Sequence, residues 1–90
     1  MPISLFDPIA LGAFKLKNRV FMAPMTRGRS DAQGAPEPYV AEYYAQRAEA
    51  GLIITEAVAI NARGNGWPGA PGLYTDHHQA GWKRVADAVH

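Results

Sequence analysis

Residues 38–60, PYVAEYYAQRAEAGLIITEAVAI, decide the fold. The stretch opens with a proline suited to the first turn of a helix, where the missing N–H would be unpaired anyway. Apolar residues then recur at helical spacing, at Val40, Tyr43, Tyr44 and Ala48. Gly51 is predicted to follow the helix end in a left-handed conformation. Residues 52–60 are nearly all apolar and rich in β-branched side chains, which predicts a buried strand.

An earlier apolar run at residues 20–23 (VFMA) predicts another strand, which ends at Pro24 because proline cannot donate to a ladder. The polar, Gly-rich residues 27–37 are predicted to form a loop. The order strand, loop, helix, strand predicts a right-handed βαβ unit with parallel strands. A second loop covers residues 61–74. A last helix, capped by Thr75 or Asp76, follows with an apolar face of Trp82, Val85, Ala86 and Val89.

Residues 9–16 are predicted to form a small hairpin with Gly12 at the bend. No stop signal follows the last helix, and a two-stranded parallel sheet with two open edges is a poor independent fold. The sequence therefore predicts an α/β protein that is the opening quarter of a β/α barrel or of a doubly wound sheet.

Composition excludes several classes of protein. Nine Lys and Arg against eight Asp and Glu give a net charge of +1. This charge is too small to indicate binding to nucleic acid or to an acidic membrane. The absence of cysteine excludes a disulfide framework, a Cys-ligated zinc site and a Cys nucleophile. No apolar run is long enough to span a bilayer, and the first residues lack the pattern of a signal peptide. A cytoplasmic protein is predicted.

Residues 64–69, GNGWPG, fit the pattern G-x-G-x-x-G of a dinucleotide-binding turn. In that fingerprint the glycines open directly into a helix whose N-terminus receives the pyrophosphate. Here Pro68 and Pro71 interrupt the segment, so the helix cannot begin before about Thr75. A nucleotide-binding domain using this loop is therefore the least favoured interpretation.

Other polar and aromatic residues give weaker signals. Adjacent histidines on a helix point about 100° apart and cannot face one ion together, so His77 and His78 are predicted to be solvated and no metal site is expected. Arg27 and Arg29 are predicted to lie in a solvated loop. Trp67 either packs beneath its loop or stacks against a ligand, and the sequence favours neither alternative.

In βα folds the chemistry lies at the carboxyl ends of the strands. Residues 23–26 and 55–57 end the two predicted strands and should be neighbours at one rim, either as ordinary strand ends or as a site. Three segments together carry a resemblance to a known family: LFDPIALGAFKLKNRVFMAPMTRGRS (residues 5–30), EYYAQRAEAGLIITEAVAI (42–60) and GNGWPGAPGLY (64–74). The chain resembles the old yellow enzymes, which are FMN-dependent ene-reductases.

The resemblance implies a (β/α)8 TIM barrel in which residues 1–18 form a hairpin lid over the bottom and residues 19–90 form the first two βα units. It also implies that FMN is lined by Ala23, Pro24, Met25 and Thr26, largely through backbone. The Thr26 hydroxyl would donate to the flavin O4 region near N5, and the Ala57 N–H would approach the same edge. Trp67 would line the substrate side, where many relatives carry a tyrosine.

The chemistry implied by the resemblance is hydride transfer from NAD(P)H to the flavin and then to the activated C=C bond of an α,β-unsaturated carbonyl or nitro compound. The family's histidine pair and proton-donating tyrosine correspond to positions beyond His90, so no catalytic residue is expected in this chain. The expected partners are small-molecule alkenes and the rest of the barrel, with a homo-oligomer also compatible. The alternative is a non-catalytic fragment or assembly module that needs a complementary C-terminal chain.

Overall fold

The computed structural model describes residues 2–90 as an α/β fold with four short strands and two helices. The strands are β1 (Ile9–Leu11), β2 (Phe14–Leu16), β3 (Phe21–Met22) and β4 (Leu52–Ile53), and the helices are α1 (Pro38–Ala45) and α2 (Asp76–Val89). One turn of 3-10 helix, Ala62–Gly64, lies in the loop between β4 and α2. No helix in the described part of the chain is long and apolar enough to cross a membrane.

The predicted hairpin is confirmed. Strands β1 and β2 pair antiparallel with Ile9 opposite Leu16, and Gly12 occupies the bend with a φ of 59°. That left-handed value favours glycine, because a Cβ atom would be strained there. Leu16 is buried, whereas Phe14, nearer the bend, is 70% exposed.

The parallel βαβ unit is also confirmed, but its strands are shorter than predicted. Phe21 pairs with Leu52 and Met22 with Ile53, and the Ile54 N–H donates to the Met22 carbonyl at 3.1 Å. The ladder ends there because Pro24 has no N–H to donate and, within residues 2–90, each strand has a partner on one side only. The predicted strand over residues 52–60 is therefore wrong beyond Ile53.

Helix α1 ends at Ala45, and turns closed by i→i+3 hydrogen bonds continue the chain to residue 50, which leaves Ala48 outside the helix. The prediction of a left-handed Gly51 is wrong, since its φ is not positive. A Cβ atom at Gly51 would instead overlap the backbone carbonyl of Asn18. Glycine is needed here so that the start of β4 can pass close to the chain that leaves the hairpin.

The core lies where the two helices meet the parallel strands. Val40 and Tyr44 of α1 pack with Val85 of α2, and the partly buried residues around them are Met22, Ala41, Tyr43, Ile53, Trp82 and Val89. Thr75 caps α2 as predicted, because its Oγ1 accepts from the His78 N–H at 3.1 Å. Ala86, predicted for the apolar face, is exposed because nothing in residues 2–90 covers that side.

The position of His78 also differs from the prediction. Its side chain is 1% exposed, not solvated, because position 78 lies on the inner side of α2 against the loop between β3 and α1. Its Nε2 lies 2.6 Å from the Gln33 carbonyl oxygen, and its Nδ1 accepts from the Tyr74 N–H at 3.2 Å. His77 is exposed as predicted, with Nε2 2.8 Å from Asp31 Oδ2. Both histidines therefore attach α2 to the loop.

The Asp31 carboxylate gives a testable pH dependence. Burial alone would raise its pKa, but hydrogen bonds from the Ala35 N–H, His77 and the Gln33 N–H hold the pKa below its usual value. A carboxyl group with a depressed pKa stabilises the folded state when the pH lies above the pKa of the unfolded state, about 3.9. This stabilisation is lost as the pH falls through the pKa of the folded state. We expect Asp31→Asn to lower the free energy of unfolding by roughly 1 kcal/mol at pH 7.

That difference between Asp31→Asn and the wild type should disappear near pH 2, measured by urea unfolding. Asp87→Asn is the matched control, since the Asp87 carboxylate is 66% exposed and, among residues 2–90, pairs only with Lys83 on the same helix. A pH-independent loss for Asp31→Asn would contradict the role given to the charge.

Candidate functional site

Two chain segments leave the parallel strands at the same end. Because β3 and β4 run in register, residues 23–26 and 55–57 emerge side by side. Arg27 directly follows residues 23–26, and Glu56 is the middle residue of 55–57. Both line a common cavity of about 200 Å³. The predicted rim is therefore present in the structure.

The rim residues are open to solvent, and their donors are unused. Ala23, Pro24, Met25, Thr26 and Ala57 are all exposed. Within residues 2–90, no hydrogen bond engages the Thr26 hydroxyl or the Ala57 N–H, whereas the neighbouring Thr55 hydroxyl donates to the Glu56 carbonyl at 3.1 Å. Small side chains and free donors along one edge fit a planar ring with acceptors at its margin, which is the shape of the flavin edge implied by the resemblance.

A buried pair lies beneath the rim. The Tyr44 hydroxyl donates to Glu56 Oε2 at 3.0 Å and accepts from the Glu56 N–H at 3.2 Å. Burial, together with the nearby Glu56 carboxylate, raises the pKa of Tyr44 to about 12. Burial also raises the pKa of Glu56, against the lowering effect of Tyr44 and Arg27. Sequence reasoning missed this pair, although an acidic residue within an apolar run was a usable signal.

The two arginines of the first loop are exposed, as predicted, and differ in their contacts. The Arg27 guanidinium lies 4.7 Å from the centroid of the Tyr43 ring, and Arg47 stacks on the same ring at 4.0 Å. The backbone of Arg29 accepts a hydrogen bond from the Tyr39 hydroxyl at 3.2 Å. No group of three or more metal-ligating side chains occurs in the described residues.

The Gly- and Pro-rich loop forms a tight turn. The Ala70 N–H donates to the Trp67 carbonyl at 3.2 Å, with Pro68 second and Gly69, at a φ of 74°, third, as in a type II turn. A Cβ atom at Gly69 would overlap the Gly28 backbone carbonyl, so the turn rests on the first loop. The helix begins only at Asp76, as predicted, and the glycines do not open into it.

Trp67 opens this turn and is 39% exposed, so it is not buried beneath its loop. The Ser30 N–H and hydroxyl donate to the carbonyls of Gly69 and Ala70, at 3.2 and 3.1 Å. These contacts hold the Trp67 turn on the loop that follows Thr26. The structure thus brings the loop that carries Trp67 against the loop that follows residues 23–26.

Comparison with known proteins identifies the family. The model of the NADH:flavin oxidoreductase / NADH oxidase family matches residues 4–90. The chain belongs to this family. Membership confirms the predicted resemblance. The cofactors of this family are a flavin and a nicotinamide hydride donor.

Relatives within this flavin oxidoreductase family show how much of the fold the chain represents. It is 50% identical over 88 residues to the chanoclavine-I aldehyde reductase fgaOx3 of Penicillium roqueforti, covering 96% of this chain and 24% of that protein. The structure of the old yellow enzyme homologue from Zymomonas mobilis matches with a TM-score of 0.93 and 55% identity, over 98% of this chain and 25% of that one.

A structure of morphinone reductase in complex with tetrahydroNAD matches with a TM-score of 0.94 and 47% identity, over 99% of this chain and 24% of that one. The chain thus spans about a quarter of the length of its relatives. Its fold is the N-terminal part of their (β/α)8 barrel, as predicted.

Proposed function

We propose that this chain is the N-terminal segment of an FMN-dependent oxidoreductase that takes hydride from NAD(P)H. The proposed substrates are activated C=C bonds of α,β-unsaturated carbonyl or nitro compounds. Family membership and the similarity to reductases support this function. The observation that carries it is the open rim, where the Thr26 hydroxyl and the Ala57 N–H have no protein acceptor among residues 2–90.

FMN, when bound, supplies the hydride chemistry, while the protein supplies binding, orientation and electrostatics. We propose that Thr26 and Ala57 donate to the O4 and N5 edge of the ring. Donors held at this edge favour the additional negative charge that follows hydride uptake. Ala23 and Ala57 carry only a methyl group, which lets the ring approach the backbone, and Trp67 lines the side on which the substrate enters.

The remaining polypeptide of the barrel is the proposed partner of the exposed apolar surface. Phe6 is 79%, Phe14 70% and Ile60 81% exposed, and such residues are expected to be covered in the complete protein. We propose that residues 1–18 close the bottom of the barrel and that residues 19–90 provide its first two βα units. The covering polypeptide belongs to the same chain or, in the alternative of a non-catalytic assembly module, to a complementary C-terminal chain.

Replacing Thr26 by alanine in the full-length flavoprotein tests the proposed function. We expect the rate of flavin reduction by NAD(P)H or of reoxidation by a cyclic enone to change about tenfold, the equivalent of about 1.4 kcal/mol for one lost hydrogen bond. Stopped-flow absorbance measures the two half-reactions separately. Thr26→Ser keeps the hydroxyl and should restore the wild-type rates. Wild-type rates for Thr26→Ala in both half-reactions would remove Thr26 from the site.

A further inference from the structure

Glu56 is a buried carboxylate that the proposed hydride chemistry does not use. It is 5% exposed, and Tyr44, its hydrogen-bonding partner on α1, is 1% exposed. The Tyr44 hydroxyl donates a hydrogen bond to Glu56 Oε2 and accepts one from the Glu56 backbone N–H. One hydroxyl therefore fixes both the side chain and the backbone of Glu56.

The position of Glu56 in the chain links this pair to the rim. Glu56 directly precedes Ala57, and Arg27, which directly follows Thr26, lines the same cavity as Glu56. The positive charge of Arg27 also lowers the pKa of the Glu56 carboxyl, against the effect of burial. The carboxylate thus shares a cavity with the residue that follows Thr26, while the backbone of Glu56 leads directly into Ala57.

We propose that Tyr44 and Glu56 are positioning residues that set the spacing between the Thr26 hydroxyl and the Ala57 N–H at the flavin edge. This inference rests on the proposed function and adds to it a second layer of residues that do not touch the flavin. The Tyr44 hydroxyl holds Glu56 from below, and Glu56 then holds the residues adjacent to both donors.

Packing alone does not explain the pair. Tyr44 lies against Val40 and Val85, and phenylalanine would fill the same space in this core. A carboxylate buried at this depth is destabilising unless it is hydrogen-bonded, so an apolar residue would serve stability at least as well. The burial that raises the pKa values of Tyr44 and Glu56 acts against the ionised carboxylate. A positional role at the rim accounts for a carboxylate at this buried position.

Tyr44→Phe in the full-length flavoprotein tests the positioning role, with Tyr43→Phe as the matched control. Tyr43 is the adjacent residue of α1, and its hydroxyl makes no hydrogen bond within residues 2–90. We expect Tyr44→Phe to change the equilibrium constant for reduction of the bound flavin by about tenfold, the equivalent of about 1.4 kcal/mol. Tyr43→Phe should leave it within about twofold. Potentiometric titration followed by the flavin absorbance provides this readout.

The outcomes separate this inference from the proposed function. A wild-type protein that binds no FMN would overturn the proposed function and this inference with it. Normal FMN binding with unchanged potentials in both variants, or equal changes in both, would overturn only the positioning role. If Tyr44→Phe does not fold, Glu56→Gln replaces it, because an amide cannot accept from Tyr44 and from Arg27 with both of its polar atoms. A wild-type potential in Glu56→Gln would then reject the inference.

Discussion

Gly69→Ala is expected to lower the free energy of unfolding by about 3 kcal/mol, the largest effect of a single substitution proposed for this segment. Gly69 has a φ of 74°, where an L side chain is strained by about 1–2 kcal/mol. Its Cβ atom would also overlap the carbonyl of Gly28, a backbone group that cannot move aside as a side chain can. The two loops at the rim would therefore have to separate.

Gly66→Ala is the matched control for Gly69→Ala. It lies in the same loop, has no positive φ, and a Cβ atom there would have nothing within 4 Å. Urea unfolding of the full-length protein should show a change below about 0.5 kcal/mol for Gly66→Ala. Similar losses in the two variants would show that the contact between Gly69 and Gly28 is not required.

The isolated segment of residues 1–90 is expected to bind FMN at least about a thousandfold more weakly than the full-length protein, a loss of about 4 kcal/mol. The reason is that, in the proposed site, the segment contributes donors to only one edge of the ring, through Thr26 and Ala57. In the proposal, the faces and the phosphate of the cofactor would be bound by other parts of the barrel. We also expect no ene-reductase activity from the segment alone.

Titration of FMN with the segment, followed by quenching of flavin fluorescence, measures this affinity. The full-length protein under the same conditions is the positive control, and a circular dichroism spectrum shows whether the segment retains its two helices. Sub-micromolar binding by a folded segment would contradict the prediction. Such binding would mean that the rim around Thr26 and Ala57 supplies most of the free energy of FMN binding.

Local signals in the sequence predict the elements whose causes are local. The bend at Gly12 and the cap at Thr75 depend on residues within four positions, and both are confirmed. Strand length is different, because a strand extends only as far as a neighbour pairs with it. The apolar run after Ile53 therefore predicts more strand than forms within residues 2–90.

The site shows the same division. That the carboxyl ends of β3 and β4 lie together follows from parallel topology, so the rim around Thr26 and Ala57 is predictable. The burial of His78 and the bond between Tyr44 and Glu56 are not, because each depends on a contact with a distant part of the chain. No spacing rule along the chain encodes such a contact.

The attachment of the two rim loops to each other has a consequence for engineering. Ser30 donates hydrogen bonds to the carbonyls of Gly69 and Ala70, and the Gly72 N–H donates to the Gly34 carbonyl, so the shape of each loop depends on the other. If the Trp67 loop of a relative were grafted onto this scaffold without the segment of that relative that corresponds to residues 28–36, the hydrogen bonds between the two loops would be disturbed. The two loops should therefore be exchanged between relatives as one cassette.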